Sequence, residues 1–413
     1  MSSKLALLGG TPVRTAPFPA WPYADGRDAE LLQSVLESGV WSQRGPLERA
    51  FEEQFAALCG AGHALCVSNG SVALELALRA LEIGPGDEVI VPALTWTATA
   101  WAAVQVGAIP VFADVRADDW CLDPASVRRC LTPRTKAVIP VHLYDQVAEM
   151  DAILEIAAGA SISVVEDCAH AHGAMWRGRG AGTLGAIGTF SFQSQKALSA
   201  GEGGAVITRS RETADRLHAL KDCGRPRQQG GAPGFGGNYR LTEFQAAILI
   251  AQLERFPQQL ETKSERLSAF RAQMALVPGV HVLGQKPEVT RQGIYAVPVR
   301  YDPAHFEHIP RHVLLAALRA EGIPIHPPYA VVYRSELWQP GAAVANPGIE
   351  PSCPVAEQIS ERDGLTLAHQ LFLASPTDVA DIAEAFARVQ RHASTLTSVR
   401  GRLRELWSRA TRR

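Results

Sequence analysis

At 413 residues the chain is long enough for two domains around a large buried core, and 46% hydrophobic with 20% charged residues is the balance of a soluble globular enzyme. A formal charge of -2 excludes a general attraction to nucleic acid, which calls for a clear excess of Lys and Arg. Seven scattered cysteines without a C-x-x-C pair give no disulfide framework; with no run fit for a signal peptide or a bilayer span, a reducing cytoplasm and no membrane are expected.

From about residue 60 to 210, short apolar strands alternate with helical patterns. HALCVSN precedes SVALELALRALEIG, in which Leu74, Ala77, Leu78 and Leu81 share one helical face. DEVIVPALTW, AIPVFADV, KAVIPVHLY, SISVVEDCA, GTFSFQ and GGAVITRS then follow as strands. Continuous Val/Ile runs with helices between them predict an α/β protein whose largely parallel sheet is covered on both faces. The cysteines within these segments read as small buried hydrophobes. CGRPRQQGGAPGFGGNYR, from Cys223 to Arg240, is too long for a turn and reads as a loop. LTEFQAAILIAQLERFPQQLETKSERLSAFRAQM predicts one or two long helices. Strand-like GIYAVPVRY and helical HVLLAALRAEG predict a second, smaller α/β domain, so the expected division is 1–260 and 261–413. RGRLRELWSRATRR at the end reads as a solvated or helical tail, with a basic arm as the alternative.

Ligands of open α/β sheets gather at the carboxyl ends of strands, and four segments put polar groups there. In SNGSVALELAL, Ser68, Asn69, Gly70 and Ser71 precede a helix whose free N–H groups favour a phosphate; a plain helix cap remains the alternative. In SVVEDCAHAHG, Asp167 ends a Val-rich strand, where a buried carboxylate needs a cation such as a protonated ring nitrogen. Cys168, His170 and His172 suggest a metal, but no further ligand follows at zinc spacing, so none is expected. In FSFQSQKALSAGEGG, Lys196 lies between a strand and a glycine-rich turn; it is either a surface charge or a Schiff-base lysine with a lowered pKa. In PALTWTATA, Trp96 either stacks on a planar ring or packs in the core. A phosphate cup, a carboxylate for a ring nitrogen, a flat aromatic face and an amine together fit pyridoxal 5'-phosphate.

The blocks SGVWSQRGPLERAFEEQFA, SNGSVALELAL, GDEVIVPALTWTATA, VIPVHLY, VEDCAHAHGA, FSFQSQKALSAGEGGAV and NYRLTEFQAAIL carry a resemblance to the DegT/DnrJ/EryC1/StrS family. These are pyridoxal-phosphate-dependent aminotransferases of keto-sugars and keto-cyclitols, and the resemblance runs from GGTPVR to about residue 390. It implies a type I, aspartate-aminotransferase-like fold with a mainly parallel seven-stranded sheet and a smaller C-terminal α/β domain. It places Lys196 at the cofactor lysine, Asp167 at the pyridine nitrogen, Trp96 against the ring, and Gly70, Ser71 and Ser191 at the phosphate. Asn238 matches an asparagine that reaches the phosphate across a dimer interface, which implies a homodimer with shared active sites. His170 stands near the cofactor's phenolic oxygen, where many members have glutamine. FPAWP, CGRPR and AHAHG are similar to cyclitol aminotransferases and 3-amino-5-hydroxybenzoate synthases.

The implied reaction is a ping-pong transfer from L-glutamine or L-glutamate to a keto-cyclitol such as scyllo-inosose, or to a keto-sugar, in antibiotic biosynthesis. Two alternatives stand beside it: a lyase/aromatase forming 3-amino-5-hydroxybenzoate, and a non-catalytic cofactor-binding regulator. Lys196 argues against the deoxygenating members, which carry histidine in its place. His326, Tyr329, Tyr333 and His369 are either pocket residues or ordinary packing.

Overall fold

In four of the predicted strands successive residues enter opposite cores, which is why these strands read as unbroken apolar runs. Ala64 and Cys66, Ile90, Val138, and Ala205 and Ile207 pack into one core; Leu65 and Val67, Val89 and Val91, Ala137, and Val206 pack into the other. The computed structural model describes residues 4–43, 45–226, 234–339 and 351–398. The arginine-rich end and the centre of the glycine-rich segment lie outside the described residues.

The large sheet contains β1 (His63–Val67), β2 (Glu88–Pro92), β3 (Ile109–Ala113), β4 (Thr135–Val138), β5 (Ser163–Asp167), β6 (Ile187–Ser191) and β7 (Gly204–Thr208). Their spatial order is β1-β7-β6-β5-β4-β2-β3. Every neighbouring pair is parallel except those made by β7, which runs antiparallel to both β1 and β6. The helix Gly70–Ala80 buries Leu74, Ala77 and Leu78, as its periodicity predicts. The expected long helical stretch is one helix, Glu243–Met274, which holds Pro257 in its interior and runs through residue 260. Thr242 starts it by a capping box with Gln245.

Beyond that helix, β8 (Val280–Val282), β9 (Ala296–Tyr301), β10 (Ile325–His326) and β11 (Gly364–Ala368) form an antiparallel sheet in the order β8-β9-β11-β10. The helices Arg311–Ala320 and Pro376–Arg391 accompany it. Among the described residues no helix is long and apolar enough to cross a membrane. Five cysteines are buried as expected, but Cys130 is half-buried and Cys223 exposed. Cys223 departs because it occupies a left-handed turn (φ 55°) just past the helix Arg211–Lys221, outside the cores.

Candidate active site

A cavity of about 780 Å³ opens where β1, β2, β5 and β6 end. Gly70, Ser71, Trp96, Asp167, His170, Ser191 and Lys196 all line it. The eighth expected residue, Asn238, is exposed and does not line it.

At the end of β1 the chain turns directly into the helix Gly70–Ala80. Asn69 caps it, its Oδ1 accepting the Val72 N–H at 2.9 Å. The N–H groups of Gly70 and Ser71 belong to the first helical turn and have no acceptor within the helix. Two glycines let this turn sit against the sheet. A Cβ on Gly70 would stand 2.7 Å from the Cβ of Ser191, and one on Gly204 would stand 2.5 Å from the Asn69 carbonyl carbon. The turn, with the Ser191 hydroxyl beside it, forms a cradle suited to an anion.

Asp167 is the last residue of β5 and is buried. Its Oδ2 accepts the Thr99 hydroxyl at 2.9 Å, and its Oδ1 accepts the Ala169 N–H at 3.1 Å. Thr99 Oγ1 lies 3.0 Å from Thr95 Oγ1, so Thr95 donates to it. Burial raises the Asp167 pKa, against the pull of those donors and of Lys196. A ligand cation facing this carboxylate would hold it ionised.

Lys196 lies on the loop between β6 and β7, with Nζ 4.5 Å from the centroid of the Tyr295 ring. Burial lowers its pKa to about 8, opposed by Asp167. A useful fraction of the amine is therefore unprotonated near neutrality.

Trp96 is 50% exposed on the cavity wall, its ring 5.6 Å from that of Tyr329. A core packing residue would be covered, so Trp96 is not one. His170 is buried and stacks on Tyr295 with centroids 3.8 Å apart. Its Nδ1 accepts the Tyr144 N–H at 3.2 Å, so the ring proton belongs on Nε2, which faces Tyr329 Oη at 3.3 Å. Burial, with Lys196 nearby, keeps this imidazole neutral.

Cys168, His170 and His172 do not converge. His172 packs between Phe190 and Phe192, while Cys168 lies with His142 and Glu166. Glu166 there accepts the Gly182, Leu184 and Gly185 N–H groups, and His142 Nδ1 accepts that of Ala148. His142 Nε2 lies 3.0 Å from Glu166 Oε2, so the imidazole and the carboxylate are satisfied by each other and by these backbone groups.

Sequence reasoning missed Thr99 and Tyr295. It named Tyr329 without deciding between pocket and packing; the structure places it on the cavity wall, and His369 behind the Lys196 loop. Among the described lining residues Lys196 is the one lysine, and no arginine stands beside it.

Residues 22–386 match the DegT/DnrJ/EryC1/StrS aminotransferase family. An L-glutamine:2-deoxy-scyllo-inosose aminotransferase of Streptomyces lividus is 39% identical, the match covering 96% of this chain and all of that protein. A 3-amino-5-hydroxybenzoate synthase of Amycolatopsis mediterranei is also 39% identical, over 91% of this chain and 98% of its own length. The crystal structure of a 3-amino-5-hydroxybenzoic acid synthase superposes with a TM-score of 0.84 at 36% identity, covering 91% of this chain and 99% of that one. Fold, matched span and full-length relatives agree: the chain belongs to the DegT/DnrJ/EryC1/StrS family of pyridoxal-phosphate-dependent aminotransferases.

Proposed function

We propose that this chain binds pyridoxal 5'-phosphate in the described cavity and transfers the amino group of L-glutamine or L-glutamate to a keto-cyclitol. The observation that carries the reading is the convergence, on one cavity, of a helix-start cradle, a buried carboxylate and a lysine with a lowered pKa. The relative named for glutamine and 2-deoxy-scyllo-inosose supports this donor and this acceptor.

In this reading the Gly70 and Ser71 N–H groups and the Ser191 hydroxyl hold the phosphate, and Trp96 covers one face of the ring. The Asp167 carboxylate pairs with the protonated ring nitrogen, oriented by Thr99. His170 donates from Nε2 toward the phenolic side. When bound, the cofactor supplies an aldehyde that takes up amines and a ring that draws electron density from the attached carbon. Lys196 Nζ holds the cofactor at rest. Once displaced by the donor, it would carry the proton from the donor's α-carbon to the carbon that bore the aldehyde, so that the nitrogen stays behind when the donor leaves as a keto acid. Asn238 acts in the second subunit of a homodimer. The smaller domain, divided from the larger near residue 260, closes one side of the cavity through Tyr295 and Tyr329.

The test is to load the protein with the cofactor, follow its visible absorption, and add L-glutamine, L-glutamate or L-alanine. Bleaching by glutamine or glutamate and recovery on adding scyllo-inosose is the expected result. An absorption band that no donor bleaches overturns it. The equally similar 3-amino-5-hydroxybenzoate synthase favours a second reading, in which the same lysine serves dehydration and aromatisation. Formation of an aminohydroxybenzoate from an aminated dehydroshikimate would establish that reading instead.

A further inference from the structure

Lys196 sits on a loop, residues 192–203, and loops are where backbone position is least constrained. The base of this loop is laced by its own backbone: Phe192 N–H to Gly203 O at 2.8 Å, Ala200 N–H to Phe192 O at 2.9 Å, and Ser194 N–H to Gly201 O at 2.8 Å. The Lys196 N–H donates to the Gln193 carbonyl at 2.8 Å, while the two carbonyls flanking the Lys196 Cα are held by side chains. Trp21 Nε1–H donates to the Lys196 carbonyl at 3.1 Å, and His369 Nε2 lies 3.2 Å from the Gln195 carbonyl.

A carbonyl can only accept, so the His369 proton belongs on Nε2. Its Nδ1 has no hydrogen-bond partner among the described residues. The ring is buried, and burial together with Lys263 keeps it uncharged. The two rings meet edge to face, centroids 4.6 Å apart at 83°. Each therefore braces the other. They come from distant places, Trp21 from the segment before the helix Gly26–Ser38 and His369 from the residue after β11. His369 also donates its backbone N–H to the Tyr295 carbonyl at 3.1 Å, and the Tyr295 ring is the one beneath Lys196 Nζ. Neither Trp21 nor His369 lines the cavity.

We propose that Trp21 and His369 are positioning residues for Lys196: their ring N–H groups fix the peptide planes on both sides of its Cα. With both planes fixed, φ and ψ of Lys196 are set and the Cα–Cβ bond points one way. The amine then moves by side-chain rotation alone, above a Tyr295 ring placed by the same His369. This rests on Lys196 being the cofactor lysine.

The test uses Trp21→Phe and His369→Phe, which keep a ring and lose the donor, and His369→Gln, which keeps an N–H near the Nε2 position. In the cofactor-free protein, acetic anhydride labelling of Lys196 across pH, read by peptide mass spectrometry, gives the midpoint of its titration. Asp167 faces that amine, and His170, His172 and His369 couple to it while held uncharged, so the midpoint reports its placement. The wild-type midpoint is expected near 8, and a loosened, better solvated amine should move roughly half a unit or more toward the ordinary lysine value. In the loaded protein, bleaching by glutamine should slow about 10-fold while the KM for glutamine changes less than about 2-fold. His369→Gln should restore both. Folded Phe variants with an unmoved midpoint and rate overturn the proposal, as does a His369→Gln protein no better than His369→Phe. Should the Phe variants fail to fold, His369→Gln is compared with His369→Asn, whose amide falls one bond short; equal behaviour overturns the proposal. Wild-type protein that takes up no cofactor at Lys196 overturns the parent reading, and this one with it.

Discussion

Lys263 Nζ stands 5.4 Å from the centroid of the Trp21 ring, fully buried and without a hydrogen-bond partner among the described residues. Burial lowers its pKa to about 7. The unfolded chain keeps this proton up to about pH 10.4, the folded one only to about 7, so stability is lost as pH falls through that window. Lys196 contributes with the same sign from about 8 upward in the cofactor-free protein. Buried thiols such as Cys59, pushed up to about 12, act oppositely above about pH 8.5, so the readout is a difference between proteins. Lys263→Met should be more stable than wild type at pH 7 by roughly 2–4 kcal/mol, with the gap narrowing toward pH 10 in urea titrations. A gap independent of pH would show that the amine is not held neutral.

Lys196→Ala should fold, with a melting temperature within a few degrees of wild type, and lose at least about 10³-fold in turnover, since nucleophile and proton carrier go together. The same variant should show no absorption of lysine-bound cofactor. Steady-state transamination assays check the first expectation, and a visible spectrum the second.

Asp167→Asn keeps the shape and removes the charge. Turnover should fall on the order of 10²–10³-fold, while the melting temperature of the cofactor-free protein holds or rises, because a buried carboxylate is costly. Thr99→Val removes the hydroxyl that donates to Asp167 Oδ2. With less support for the ionised form, the acid limb of the pH–rate profile should move to higher pH. A limb that stays in place would detach Thr99 from the charge of Asp167.

Gly70→Ala forces a Cβ to within 2.7 Å of the Ser191 Cβ. Overpacking of this kind costs about 1–3 kcal/mol, and the phosphate cradle should open, weakening cofactor binding in a fluorescence titration. Gly26→Ala, where a Cβ meets nothing within 4 Å, is the control and should be neutral or slightly stabilising.

What the sequence makes legible here is local. β1 to β7 follow from Val/Ile runs, and the Gly70 turn, Asp167 and Lys196 follow from their places at strand ends. The helix through Pro257 could be read as one or two, because a proline interior to a helix looks like a stop until packing overrides it. Thr99 is invisible as a partner of Asp167, since nothing in TWTATA marks which threonine turns inward. Trp21, Tyr295, Tyr329 and His369 reach the Lys196 neighbourhood through pairings distant in the sequence, 175 residues for Trp21 and 174 for His369, which no periodicity encodes. Trp96 could not be separated from a core residue by sequence, because both roles ask for the same flat apolar ring.

The reversed direction of β7 has a consequence for how the nucleophile is tethered. Had β7 run parallel to β6, the chain would have had to cross to the far end of the sheet before returning, with Lys196 at one extremity of a long excursion. Running back antiparallel, it leaves and re-enters the sheet at the same rim. The amine is thus carried on a short bridge with both abutments in the sheet, and lengthening or trimming that bridge would move Lys196 relative to Asp167 even with every cavity residue unchanged.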